Sequence, residues 1–100
     1  MTVYVDNAFL KFRNMLMCHL VADSTEELLD MARKIGVKVK WIQHAGQPGR
    51  EHFDICQTKR NLALKAGAVP VSWPELAVML RTRKNGILVT PAKSKDLLMR

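Results

Sequence analysis

Long apolar runs and a secretion signal are both missing from the sequence. The longest apolar stretch, residues 15–22, is interrupted by His19 and is far too short to cross a bilayer. The first seven residues contain no basic segment followed by an apolar one. We therefore expect a cytoplasmic protein that has no membrane partner.

Cysteine is also scarce, and the signatures of common enzyme classes are absent. Cys18 and Cys56 lie far apart in apolar surroundings and form no CxxC pair, so we expect two reduced, buried thiols. The chain has no GxGxxG, no Walker A loop, no GxSxG, no HExxH and no EF-hand pattern. No cofactor and no metal ligand is assigned from a motif.

Acidic residues are outnumbered, which gives the chain its charge. Nine Asp and Glu residues face sixteen Lys and Arg residues, so the net charge is +7. This excess favours anionic partners, either an anionic small molecule such as a nucleotide or a nucleic acid. One hundred residues with 48% hydrophobic content are enough for one small domain, and a homodimer is compatible with this size.

The order of predicted elements favours an α/β fold. Capping residues, glycine stops and apolar periodicity predict the following elements: strands at 2–5, 15–22, 37–42, 68–73 and 87–89, and helices at 24–36, 54–66 and from 74 to about 85. We expect residues 1–90 to form one domain, a mostly parallel or mixed sheet of four or five strands flanked by about three helices. Residues 91–100 are expected to be a basic tail.

In a parallel sheet, the ends of several strands and the starts of the following helices meet at one edge, where ligands bind. Helix N-termini at this edge favour anions, and Arg, Lys and His side chains nearby contact phosphate. The predicted ligand-binding residues are Asp6, Asn7, His19, Asp23, Trp41, Arg50, His52, Asp54, Lys59 and Arg60. Each also has a structural explanation, since Asp23 and Asp54 can cap helices and Trp41 can pack against the core.

The string Val3-Tyr4-Val5-Asp6-Asn7, together with residues 17–23, His52-Phe53-Asp54-Ile55, Lys59-Arg60 and Gly67-Ala68, carries a family resemblance. Over residues 1–73 the chain resembles a family of small bacterial and phage proteins catalogued only as a domain of unknown function. The resemblance implies a bacterial or phage cytosolic setting. It also implies that the polar string through Asp6, His19 and His52 is a candidate site.

Three functions remain open from the sequence. The leading hypothesis is the binding of a phosphate-bearing small molecule such as a nucleotide, and a phage protein that sequesters a host nucleotide signal is one concrete form of it. The second is a metal-dependent phosphoesterase or nuclease, with His19, Asp23, His52 and Asp54 as the ligands. The third is a nucleic-acid-binding module that uses a basic helix and tail, with these residues: Arg81, Arg83, Lys84, Lys93, Lys95 and Arg100.

Overall fold

The apolar run predicted as a strand becomes the centre of the sheet, β3 (Met15–Ala22). Antiparallel strands flank it on both sides, β1 (Val3–Val5) and β2 (Leu10–Phe12) on one side and β4 (Phe53–Cys56) on the other. β5 (Val69–Pro70) extends the sheet by pairing in parallel with β1. The sheet is therefore mixed, and it confirms the predicted α/β class.

Three helices cover the two faces of this sheet: α1 (Thr25–Ile35), α2 (Gln57–Lys65) and α3 (Trp73–Lys84). The computed structural model describes residues 2–84, so the strand predicted at 87–89 and the basic tail lie outside the described residues. In the described residues, no helix combines the length and the apolar character that a membrane span requires.

The predicted capping signals at α1 are confirmed. The Ser24 hydroxyl accepts a hydrogen bond from the Glu27 backbone N–H, and it donates one to the Glu27 carboxylate. Gly36 ends the helix in the left-handed conformation with φ of 78°, which glycine adopts without strain. The same arrangement begins α3, where Ser72 and Glu75 form the reciprocal pair.

Strand alternation divides the core into two layers. Cys18 and Leu20 of β3 lie on the face covered by α1 and α2, and they pack with Phe53 of β4. Val21 lies on the opposite face, where Tyr4 and residues of α3 form a smaller cluster. His19 alternates with Cys18, so it lies on the α3 side. Both cysteines are free thiols, as predicted; Cys18 is buried and Cys56 is partly exposed.

Two predicted elements are wrong. The strand predicted at 37–42 is a single 3-10 turn, Val39–Trp41, because Val37 packs into the core directly after α1 and too few alternating residues remain to form a strand. The helix predicted at 54–66 begins only at Gln57. The residues before it form β4, whose buried Phe53 and Ile55 alternate with the exposed Asp54.

β2, in a segment for which no strand was predicted, forms a hairpin with β3. Leu10 and Phe12 pair with Met17 and Met15 across a two-residue turn at 13–14, and Arg13 takes a positive φ of 57° there. Of the two predicted arrangements, mostly parallel or mixed, the mixed one is found: within residues 2–84, β3 runs antiparallel to three partners and β1–β5 is the one parallel pair.

The packing predicts very different costs for two phenylalanines. Phe53→Ala removes a fully buried ring from the main core and should cost about 3–5 kcal/mol of unfolding free energy. Phe12→Ala removes a ring that is 55% exposed, and it should cost below about 1 kcal/mol. Urea unfolding followed by circular dichroism measures both, and equal costs would contradict the assigned core.

Candidate functional site

A buried carboxylate underlies the candidate site. Asp6 directly follows β1 and is fully buried. Its Oδ1 accepts hydrogen bonds from the backbone N–H of His19 at 2.8 Å and of Ala8 at 3.3 Å. Its Oδ2 lies 2.6 Å from His19 Nδ1. Since an ionised carboxylate only accepts hydrogen bonds, Nδ1 of His19 carries the proton and Nε2 is left free on the other side of the ring.

The free edge of His19 faces a second histidine and a second carboxylate. Asp54 lies opposite His19 in the β3–β4 register, with its Oδ1 at 3.8 Å from His19 Nε2. The same oxygen lies 3.5 Å from His52 Nε2. His52 Nδ1 donates to the Arg50 carbonyl at 2.7 Å, so this ring has the same tautomer as His19. We call His19, His52 and Asp54 the two-histidine cluster.

The start of α3 closes one side of this cluster. The Trp73 indole stacks on the His19 ring with centroids 4.9 Å apart and planes 23° apart. The Trp73 backbone N–H donates to Asn7 Oδ1 at 2.9 Å, which ties α3 to the end of β1. Because the parallel strands β1 and β5 end at the same edge, residues from two distant parts of the chain meet beside His19.

A cleft of about 320 Å³ opens beside the cluster. Its lining combines hairpin side chains with cluster residues: Leu10, Lys11, Phe12, Met17, His19 and Asp54. The floor is mainly apolar, one end is polar, and Lys11 adds a positive charge. Such a cleft suits a ligand with one flat apolar part and one charged part.

Asp6 also sets the titration of His19. The hydrogen bond and the charge of its carboxylate raise the pKa of His19 above the usual 6.5, although burial of the ring opposes this. Burial raises the pKa of the Cys18 thiol, which therefore stays protonated and unreactive at neutral pH.

The expectation that Asp23 joins this site is wrong. β3 runs antiparallel to β1, so its last residues reach the opposite edge, about 13 Å along the strand from His19. Asp23 accepts hydrogen bonds there from the Thr2 N–H at 2.9 Å and from Arg83 at 2.9 Å. This pair fixes α3 to the sheet, and it engages Arg83, one of the residues proposed for nucleic-acid contact.

The other predicted residues divide into two groups. Arg50 contributes its carbonyl to His52, and Arg60 donates from Nε to the Asp6 carbonyl at 2.8 Å while its guanidinium covers the Phe9 ring. Lys59 instead lies with its amine against Gly36 at the end of α1. Trp41 is exposed on the 3-10 turn and stacks with the Lys38 ammonium.

The cleft contains residues that the sequence prediction missed. Leu10, Phe12 and Met17 line it because β2 and β3 form a hairpin, and the polar edge was expected only at strand ends. The signal for this hairpin is the alternation of apolar residues on both sides of Arg13-Asn14. Gln43 also contacts the cluster, since its amide donates to Asp54 Oδ2 at 2.6 Å.

The fold and the cluster define a small α/β protein with a histidine–carboxylate site next to an apolar cleft. The chain belongs to the family described as protein of unknown function DUF4031, whose model matches residues 3–83. The match extends ten residues beyond the end of the resemblance at residue 73, and it covers every helix and strand described above except the last residue of α3. No curated protein and no solved structure matches the chain significantly.

The Asp6–His19 pair predicts how this histidine titrates. In EDTA-treated protein, NMR titration should place the His19 pKa above 6.5, and Asp6→Asn should lower it because the carboxylate charge is lost. Since folding raises this pKa, the pair contributes its full stabilisation below pH 6.5 and loses it as the pH rises through the folded pKa. A wild-type His19 that titrates below 6.5 would contradict the assigned pair.

Proposed function

We propose that the cleft binds a phosphate-bearing small molecule of the nucleotide class. The observation that carries the proposal is the composition of the cleft, an apolar and aromatic floor that leads to His19 and its Asp6-held imidazole. A nucleotide has the matching parts, a flat base for the apolar floor and a phosphate for the polar end.

The hairpin side chains supply the surface for a base. Leu10 and Phe12 are each more than half exposed, and Met17 lies between them and His19 in the lining of the cleft. Trp73, 42% exposed and stacked on His19, extends this surface toward α3. Stacking of a base on an aromatic side chain contributes about 1–3 kcal/mol to binding in nucleic-acid complexes.

Positive charge in the cleft and over the whole chain supports the binding of an anionic ligand. Lys11 lines the cleft itself, and the net charge of +7 attracts anions from a distance. A protein that sequesters a nucleotide signal needs only this binding and no chemistry, so that narrower role is one form of the same proposal.

A ligand panel tests the proposal. AMP, ADP, ATP, GTP and inorganic phosphate are added to the full chain in buffer with Zn²⁺ and, in parallel, in EDTA, with adenosine as the control that lacks phosphate. We expect thermal stabilisation of several degrees by at least one nucleotide at about 100 times its Kd, because a ligand that binds only the folded state adds about 2.7 kcal/mol there. No stabilisation by any nucleotide in either buffer would rule the proposal out.

A matched pair of variants assigns the binding to the cleft. His19→Asn keeps a donor for Asp6 but removes Nε2, and it should weaken nucleotide binding at least about tenfold in calorimetry, or about 1.4 kcal/mol. Asp30→Asn changes an exposed side chain of α1, on the opposite face of the sheet from His19, and it should leave the affinity within about twofold. Equal losses in the two variants would place the ligand elsewhere.

A further inference from the structure

Two carboxylates at the site oppose the binding of a negatively charged phosphate. A phosphate at the polar end of the cleft meets the Asp54 carboxylate directly, and the buried Asp6 carboxylate lies behind His19. Two like charges close to an anion disfavour its binding strongly in a partly desolvated site. A cation between the phosphate and Asp54 would reverse this balance.

The spacing of donor atoms in the two-histidine cluster suits such a cation. Two ligand atoms at about 2.1 Å from one tetrahedral ion lie about 3.4 Å apart. Asp54 Oδ1 lies 3.5 Å from His52 Nε2 and 3.8 Å from His19 Nε2. The two imidazole rings, with centroids 5.6 Å apart and planes at 67°, direct their free nitrogens toward the same oxygen.

Each of the three metal-binding side chains is oriented by a hydrogen bond to the atom that would not face the ion. His19 donates its Nδ1–H to Asp6, and His52 donates its Nδ1–H to the Arg50 carbonyl. The Gln43 amide holds the other oxygen of Asp54 at 2.6 Å. Metal-binding histidines almost always donate their second N–H to a carboxylate or carbonyl in this way, since the contact fixes the tautomer and makes the free nitrogen more basic.

The donors require a small movement to surround an ion. Within residues 2–84, no three His, Cys, Asp or Glu side chains already form a group with the spacing of a metal site. The longer of the two distances exceeds the tetrahedral spacing by a few tenths of an ångström. Asp54 is 40% exposed and can turn about its side-chain bonds, whereas His19 is held between Asp6 and Trp73. Asp54 is therefore the ligand that adjusts.

We propose that His19 Nε2, His52 Nε2 and Asp54 Oδ1 bind one divalent transition-metal ion, of which Zn²⁺ is the best match to two imidazoles and a carboxylate. Three protein ligands leave at least one position of the ion open, and this position faces the cleft that Asp54 and His19 line. Binding of a phosphate oxygen at this open position rests on the proposed function. The metal site itself does not depend on the proposed function.

Titration of the full chain with the metal alone tests the site. After dialysis against EDTA and then chelator-free buffer, calorimetry with ZnCl₂ should show one saturable site per chain. Co²⁺ should give visible absorption bands typical of a four- or five-coordinate ion without the charge-transfer bands of a thiolate ligand. Absence of saturable Zn²⁺ binding would overturn the proposal.

Variants locate the ion. His52→Gln and Asp54→Asn should each weaken Zn²⁺ binding at least about tenfold, and Gln43→Ala, which removes only the contact behind Asp54, should weaken it by about 10–100-fold. Asp30→Asn is the matched control, since its carboxylate is exposed on α1 and pairs with Arg33, and it should bind like the wild type. Cys56→Ser should also bind like the wild type.

Circular dichroism confirms that each variant is folded before titration. If Zn²⁺ affinity survives His52→Gln and Asp54→Asn, or is lost in Cys56→Ser, the ion lies elsewhere and the inference fails. If Zn²⁺ binds as described and no nucleotide binds in any buffer, only the proposed function fails. If a nucleotide binds equally well in EDTA and in Zn²⁺, the proposed function stands and the role of the metal in holding phosphate fails.

Discussion

The carboxylate of Asp6 is the group on which the site depends. An isolated carboxylate in the interior costs several kilocalories per mole, so it persists only where its oxygens are fully bonded. Here the backbone N–H groups of His19 and Ala8 and the His19 ring supply those bonds. The same interaction therefore satisfies a buried charge and fixes the orientation of the one imidazole at the end of the cleft.

The sheet topology makes this contact possible. β1 and β2 pair with the same side of β3, and the four residues between them leave the sheet, which places Asp6 directly beside His19. Arg60 holds this segment from α2 by its bond to the Asp6 carbonyl. The hairpin that follows supplies the apolar part of the cleft, so one short segment of chain supports both ends of the site.

The sequence was sufficient for the elements with strong local signals. The capping residues of α1 and the glycine that ends it act locally, so their positions could be predicted from Ser24, Glu27 and Gly36. The structure also brings Asp6, His19, His52 and Asp54 together, although through antiparallel pairing of β3 with β1 and β4 and not through parallel strands. Strand direction depends on long-range pairing that local patterns do not encode, which explains why Asp23 was placed at the wrong edge.

Local ambiguity explains the other errors. Phe53-Asp54-Ile55-Cys56 is too short to separate a strand from the first turn of a helix, and pairing with β3 decides in favour of the strand. That decision also determines the chemistry of the site. As a helix cap Asp54 would be occupied by backbone N–H groups, but in β4 its carboxylate faces two imidazoles.

The tautomer of His19 tests this view of the site most directly. A long-range ¹H–¹⁵N correlation spectrum of EDTA-treated protein, recorded at a pH above the His19 pKa, distinguishes a protonated Nδ1 from a protonated Nε2. Our account predicts that Nδ1 carries the proton and that Nε2 is free, because the Asp6 carboxylate can only accept. A neutral His19 protonated at Nε2 would contradict it, since the free nitrogen would then face Asp6 and not the cleft.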